Sequence, residues 1–239
     1  MRPDDVSGIR NLPLFRDMRD ETFTPLVENG FVQQFPPGLV LIQESDRADF
    51  LHIVVEGAVE MFATTAGRET TLDFVGPVGV FILAAVLSDQ VYLQSARTLE
   101  KSRVLMIPAD RVRRAMTSDP AFMQAIVTEL ARAYRGTIRD LKDQKLRTGT
   151  ERLANWLLRS ERQQGDRGRV DIHFEKRTLA SRLGMTAENL SRAFAALRVQ
   201  GVEVRGPRIE IGDRGALARF AQPDPLIDSP EDELSTRSH

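Results

Sequence analysis

Apolar positions change their spacing along the chain, and the changes mark its parts. Over residues 11–30, Leu12, Leu14, Phe15, Met18, Phe23, Leu26 and Val27 fall near helical spacing. Pro36-Pro37-Gly38 breaks that run. From Leu39 to Ile107 the apolar runs are short: Leu39–Ile42, Phe50–Val55, Ala58–Phe62 and Thr71–Val75. Ser45-Asp46, Glu56-Gly57, Ala66-Gly67 and Gly76-Pro77 separate them. Short strands with turn signals about every ten residues predict a β-sandwich or roll. The apolar run Val80–Leu87 fits either a short helix or a buried strand.

Ser118-Asp119-Pro120 reads as a helix start, with Asp119 or Ser118 accepting from free amides and Pro120 in the first turn. The segment from Pro120 to about Leu146 holds only Gly136 as a breaker. Phe122, Ile126, Val127, Leu130, Ala133, Tyr134, Ile138 and Leu141 form a stripe at spacings of three and four. At ~1.5 Å per residue such a helix runs about 40 Å. A long helix with a narrow apolar seam usually pairs with its symmetry mate, the alternative being a core helix of one domain. The pairing set is Phe122, Ile126, Leu130, Ala133, Ile138 and Leu141. Thr148-Gly149 marks a hinge, and Leu153, Trp156, Leu157 and Leu158 make Glu151–Arg162 amphipathic. A turn at Gly165–Gly168 leads to the alternating Val170, Ile172 and Phe174. Beyond Ala221, three prolines and five acids predict a disordered acidic tail.

The sharpest motif lies between Lys176 and Gly201. Two short helices that cross steeply need a small residue at the contact, a permissive turn and a few apolar positions to close the core. Leu179, Ala180 and Leu183 supply the first inner face, with Ala180 at the crossing. Gly184 sits in the turn, Met185 fills the core, and Thr186 can cap the second helix. Leu190, Ala193 and Leu197 continue the inner face, and Gly201 closes it. On the outer face Glu188, Ser191 and Arg192 stand at i, i+3 and i+4. Arg can donate twice to guanine, Glu accepts from cytosine, and Ser bonds several base edges. The competing reading is a plain Glu188–Arg192 surface pair. Lys176, Arg177, Thr186, Arg198 and Arg205, with Arg182 and Arg208, are candidates for phosphate contact. Val202–Val204 and Ile209–Ile211 flank an Arg205-Gly206-Pro207 turn, as in a β-hairpin wing.

Charge sharpens this division. The 239 residues suffice for two domains and carry a net charge of −1. By segment the balance is −3 over 1–146, +6 over 147–222 and −4 over 223–239. One basic block between acidic neighbours suggests a domain that faces a polyanion. The absence of cysteine excludes disulfides, thiolate zinc and a cysteine nucleophile. No signal peptide and no membrane span is expected, and the chain reads as cytoplasmic. No phosphate loop, HExxH or Gly-x-Ser-x-Gly is present, so an enzyme is not expected.

The order of β-rich domain, long helix and winged helix-turn-helix resembles the Crp/Fnr transcription regulators over roughly residues 12–220. "LHIVVEGAVEMF" from Leu51 looks like the family's roll strands, and "LEKSRVLMIP" from Leu99 resembles the end of the Fnr-type sensor. "GMTAENLSRAF" from Gly184 is similar to the Fnr recognition helix, whose Glu-x-x-Ser-Arg is present as Glu188, Ser191 and Arg192. The resemblance implies an α+β chain: a cyclic-nucleotide-binding-like β-roll (1–118), a dimerisation helix (119–147), a winged helix-turn-helix (148–222) and the tail (223–239). It also implies a homodimer on double-stranded DNA, at a palindrome related to TTGAT-N4-ATCAA, that contacts RNA polymerase to activate or blocks it.

The chain departs from the family in its sensor. Cyclic-nucleotide members carry Gly-Glu-x-x-Gly and then Arg-Ser/Thr-Ala, whose Arg pairs with the phosphate. Here Gly79 is followed by Val80-Phe81-Ile82-Leu83, and Tyr92-Leu93 stands where the Arg-Ser pair belongs. No cyclic nucleotide is expected, because a buried phosphate needs a cation. Without cysteine, no iron–sulfur cluster is expected either. Val80, Phe81, Leu83, Tyr92, Leu93 and Tyr134 suggest an apolar effector pocket. It would take haem, as in the nitric-oxide-responsive or carbon-monoxide-responsive branches, with nitric oxide the better match, or be a filled core. The imidazoles on offer are His52, His173 and His239. A ligand-binding regulatory module of the cyclic-nucleotide-binding class would explain the roll but not the winged helix-turn-helix.

Overall fold

In the computed structural model, residues 3–172 and 174–229 are described. The chain divides into two compact units, Met1–Tyr134 and Arg135–His239.

The first unit opens with α1 (Pro3–Arg10) and α2 (Asp20–Glu28), followed by β1 (Phe31–Phe35), β2 (Val40–Ile42), β3 (Phe50–Glu56), β4 (Val59–Thr65), β5 (Arg68–Val75) and β6 (Val80–Phe81). Then come α3 (Leu83–Ser88), β7 (Ser95–Thr98), β8 (Ser102–Pro108), α4 (Ala109–Ser118) and the start of α5 (Pro120–Leu146). Two four-stranded antiparallel sheets, β1-β8-β3-β6 and β2-β7-β4-β5, make the roll. The run Val80–Leu87 is neither wholly helix nor wholly strand, since β6 gives way to α3. β1 and α4 arise where the apolar pattern alone marked no element. The Glu56-Gly57 turn is a true glycine position. Gly57 has φ +87°, and a Cβ there would lie 2.4 Å from Ser102 Oγ.

Leu51, Val54, Leu105 and Ile107 are fully buried between the sheets and helices, and Phe15, Phe23 and Leu26 close one end. Phe122 and Ile126 belong to this same core, with Phe122 stacked on Phe15 at 6.0 Å. Their place in a pairing seam is therefore corrected: the first turns of α5 spend these residues on the roll. Met123, Val127, Tyr134, Ile138 and Leu141 remain exposed along the helix. The helix start is Asp119, not Ser118. Its Oδ1 accepts from the amides of Ala121 and Phe122 at 3.0 and 3.2 Å, and its Oδ2 from the Arg19 amide at 2.9 Å. Burial pushes this carboxyl up, but the three amide donations and Arg19 outweigh it and hold it below the usual range.

The second unit holds the last turns of α5, then α6 (Gly149–Gln163), β9 (Arg169–Asp171), α7 (Lys176–Arg182) and α8 (Ala187–Leu197). A short 3-10 turn, Arg198–Gln200, leads to β10 (Val202–Arg205), β11 (Arg208–Ile211), α9 (Arg214–Ala221) and α10 (Pro225–Asp228). The wing sheet runs β10-β11-β9. Leu153, Leu157, Val170, Leu179, Leu197, Ile209 and Leu217 are its fully buried centre. Thr148 and Glu151 form a reciprocal capping box at the start of α6, so the hinge is short and sharply defined. The expected tail is corrected over its first residues: Asp224 caps α10 and Ile227 is buried. Residues 230–239, with the rest of that expectation, lie outside the described residues.

Asp119→Ala is expected to lower unfolding free energy by about 1–2 kcal/mol in urea titration, the range for a lost N-cap, with Asp119→Asn losing less.

Candidate nucleic-acid interface

The second helix of the motif, α8, is built as a presented surface. Thr186 Oγ1 accepts from the Asn189 amide at 3.2 Å, which secures its first turn. Leu190, Ala193, Phe194 and Leu197 face the core, and this leaves Glu188, Ser191 and Arg192 exposed on the opposite face. Arg192 Nη2 donates to Asn189 Oδ1 at 2.8 Å. This bond takes the place of the competing Glu188–Arg192 surface pair. Glu188 thus has no ion-pair partner among the described residues.

Lys176, Ser191 and Arg198 border one groove of about 230 Å³, floored by Leu190, Phe194 and Val202. Three residues taken from separate stretches of the sequence therefore come together. Lys176, Arg177 and Arg198 are exposed and have no carboxylate partner among the described residues. The wing arginines differ. Arg205 sits between Glu203 at 3.0 Å and Glu210 at 3.3 Å, and Arg208 donates to Asp171 at 2.9 Å. Arg182 is half-buried against Asp140 at 2.8 Å, so it holds the fold instead of standing free for phosphate.

The turn before α8 is fixed by Arg152 and Gln144, which the sequence motif did not single out, together with Gly184, which it did. Arg152, only 9% exposed, donates through Nε to Leu183 O at 2.8 Å and through Nη1 to Arg147 O at 2.7 Å. Gly184 has φ +63°, and a Cβ there would lie 2.5 Å from Gln144 Oε1. A charged residue at an inward position of α6 was the available signal, since a buried arginine must find acceptors.

In the roll, the residues assigned to an effector pocket do not converge. Phe81, Leu83 and Tyr92 are core residues at 3%, 6% and 4% exposure, whereas Leu93 and Tyr134 are 82% and 68% exposed. His52 is not at the surface but 2% exposed, with its ring stacked on Phe81 at 5.2 Å and edge-on to Phe50. Burial lowers its pKa to about 4 against the opposing contact with Phe50, and Nδ1 is buried without a partner. Val78 and Ile82, both β-branched, hold φ +65° and +61°, so the segment around Phe81 is imposed by packing. As packed, His52 presents no open coordination position to haem, since its imidazole is enclosed by Phe50 and Phe81 and 2% exposed. His173 and His239 lie outside the described residues.

Residues 32–119 match the cyclic nucleotide-binding domain family, and residues 151–220 match the Crp-like helix-turn-helix domain family. This chain belongs to the Crp/Fnr transcription regulators. Crp/Fnr relatives span nearly the same length. The CRP-like cAMP-activated global transcriptional regulator of Mycobacterium tuberculosis is 25% identical over 215 residues, 87% of this chain and 96% of that one. The transcriptional activator protein FnrA of Stutzerimonas stutzeri is 22% identical over 216 residues, 88% of each chain. The fold is similar to that of FixK2 from Bradyrhizobium japonicum, with TM-score 0.72 at 22% identity over 82% of this chain and 98% of that one. The chain is thus a DNA-binding regulator with a cyclic-nucleotide-binding-type domain, and no described helix is long and apolar enough to cross a membrane.

Arg152→Ala strands the buried carbonyl of Leu183 and frees the half-buried one of Arg147, and is expected to cost about 1–3 kcal/mol in urea unfolding. At His52, the unfolded chain takes up a proton below about pH 6.5, but the folded chain does so only near pH 4. Stability is therefore expected to fall as pH drops through that window, by about 3 kcal/mol in all. His52→Phe should flatten that part of a pH series of unfolding curves.

Proposed function

We propose that the protein acts as a homodimer on a palindrome related to TTGAT-N4-ATCAA, with Glu188, Ser191 and Arg192 reading bases. Lys176, Arg177, Thr186 and Arg198 position the duplex through its phosphates. Arg205 contributes less, because two carboxylates already share its charge. The observation that carries the reading is the exposed, capped face of α8 beside a groove edged by Lys176 and Arg198. Guanidinium and carboxylate groups at this spacing match the donor and acceptor edges of the major groove.

Dimerisation is supported by the open row Met123, Val127, Tyr134, Ile138 and Leu141 on α5. Their spacings of four, seven, four and three are those of a helix-pairing seam. Leu130 is partly covered by the roll, and Ala133 is exposed beside the row. A dimer on DNA would present half-sites about one helical turn apart. At a promoter it would contact RNA polymerase or block it, in the cytoplasm.

The signal is the finer question. A cAMP-activated relative invites a cyclic nucleotide, but apolar Val80–Leu83 and Tyr92-Leu93 stand where its acid and arginine would be. A buried phosphate there would lack the counter-charge it needs. Nitric oxide carried by haem has no matching slot beside His52. The arrangement instead favours a signal that acts on the packing of Phe81 and its strained flanks, shifting how the paired helices present the two heads.

Arg192→Ala is expected to cost about 1–3 kcal/mol on the specific duplex and to flatten preference at one base pair. Lys176→Ala should weaken all duplexes alike and shallow the salt dependence. Gel-shift titrations on palindromic and scrambled duplexes, alongside light scattering for mass, test both. A monomer, or equal affinity for the two duplexes, contradicts the reading.

A further inference from the structure

Asp228 gathers three parts of the second unit around one carboxylate. Arg147 donates to it from Nη1 at 2.9 Å and Nη2 at 2.5 Å, and Arg159 Nη1 donates at 2.5 Å. Arg147 also donates to Asp143 Oδ1 at 2.7 Å. The side chains of Arg147, Asp143 and Asp228 are only 8%, 9% and 9% exposed. The segment carrying Asp228 is itself organised. Asp224 Oδ1 accepts from the Leu226 amide at 2.8 Å, and the Asp224 amide donates to Asp228 Oδ2 at 2.8 Å. Ile227 anchors it at 7% exposure, and Lys142 lies 3.8 Å from Asp224. The chain just before it is tied to α6 by Asn155 Nδ2 on Ala221 O at 2.8 Å.

The location matters more than the strength. Arg147 is the residue between the end of α5 and the Thr148 cap of α6, so it is the hinge itself. Its carbonyl takes the Arg152 guanidinium that also holds the turn before α8. Buried ion pairs of this kind are geometrically demanding, since each charge left without its partner is costly. Closing Asp228 on Arg147 therefore selects one hinge geometry out of those the backbone allows.

We propose that Asp224–Asp228 is a strap that positions the DNA-reading head, holding the last turns of α5 and the α6–α8 assembly at one angle. The proposal builds on the two-headed reading of operator binding. Under it, engagement of both half-sites at once depends on the strap, and contact of a single head with DNA does not. Under the proposal the strap residues act through Arg147, with Arg159 and Lys142 as secondary anchors, and not by contacting the duplex.

The test compares the full chain with chains ending at Ser229 or at Pro223, and with Asp228→Asn and Asp228→Glu. Amide hydrogen exchange over residues 147–152, affinity for the palindrome and affinity for a single half-site are measured on each. The chain ending at Ser229 should match the full chain. The chain ending at Pro223 and Asp228→Asn should exchange at least tenfold faster over 147–152. They should lose about tenfold on the palindrome and less than twofold on the half-site, with Asp228→Glu recovering part of the loss. Unchanged exchange in the chain ending at Pro223 overturns the strap, as does an equal loss on half-site and palindrome. If the full chain itself shows no preference for the palindrome, the operator reading fails, and the exchange measurement still decides whether the strap holds the hinge.

Discussion

The Arg152 guanidinium joins the hinge to the DNA-binding motif, and the placement of α8 depends on that bond. It satisfies the half-buried carbonyl of Arg147 behind it and the buried carbonyl of Leu183 ahead of it. Gln144 against Gly184 and Asp140 on Arg182 reinforce the same junction. A positive φ at Gly184 then turns the chain into α8 with its polar face outward. Remove that cation and both carbonyls lose their shared partner at once, and the buried one at Leu183 has no water to fall back on.

The long helix serves two masters along its length. Its first turns give Phe122 and Ile126 to the roll, where Phe15 stacks on the phenyl ring. One hundred degrees around the helix, Met123 and Val127 are left open and begin the row that continues through Tyr134 to Leu141. Such a helix ties the packing of the roll to the surface on which the proposed partner would sit. Any signal that moves Phe81 or the strained Ile82 acts on the same core that holds Phe122.

The roll matches the cyclic nucleotide-binding domain family, while apolar residues follow Gly79. His52 is held neutral by burial between two phenyl rings, and the cassette region packs apolar side chains inward. A protonated imidazole at His52 would bring charge into an enclosed, apolar space.

Local pattern was enough to place strands β2 to β5 of the roll, the long helix from Pro120 to Leu146, the Thr186 cap, the Gly184 turn and the exposed trio on α8. Each of these follows from forces between residues close in sequence: spacing, capping and backbone freedom. Contacts between distant residues decided the rest. Periodicity marks a stripe but cannot say which edge of it meets the roll, so Phe122 and Met123 look alike until Phe15 is in place. Alternation along β3 cannot say that Phe50 and Phe81 enclose His52. Nothing near Asp228 announces a buried acid, since its partner Arg147 lies 81 positions away. Burial and charge pairing belong to the assembled chain, and there the polar-looking end of the sequence becomes part of the hinge.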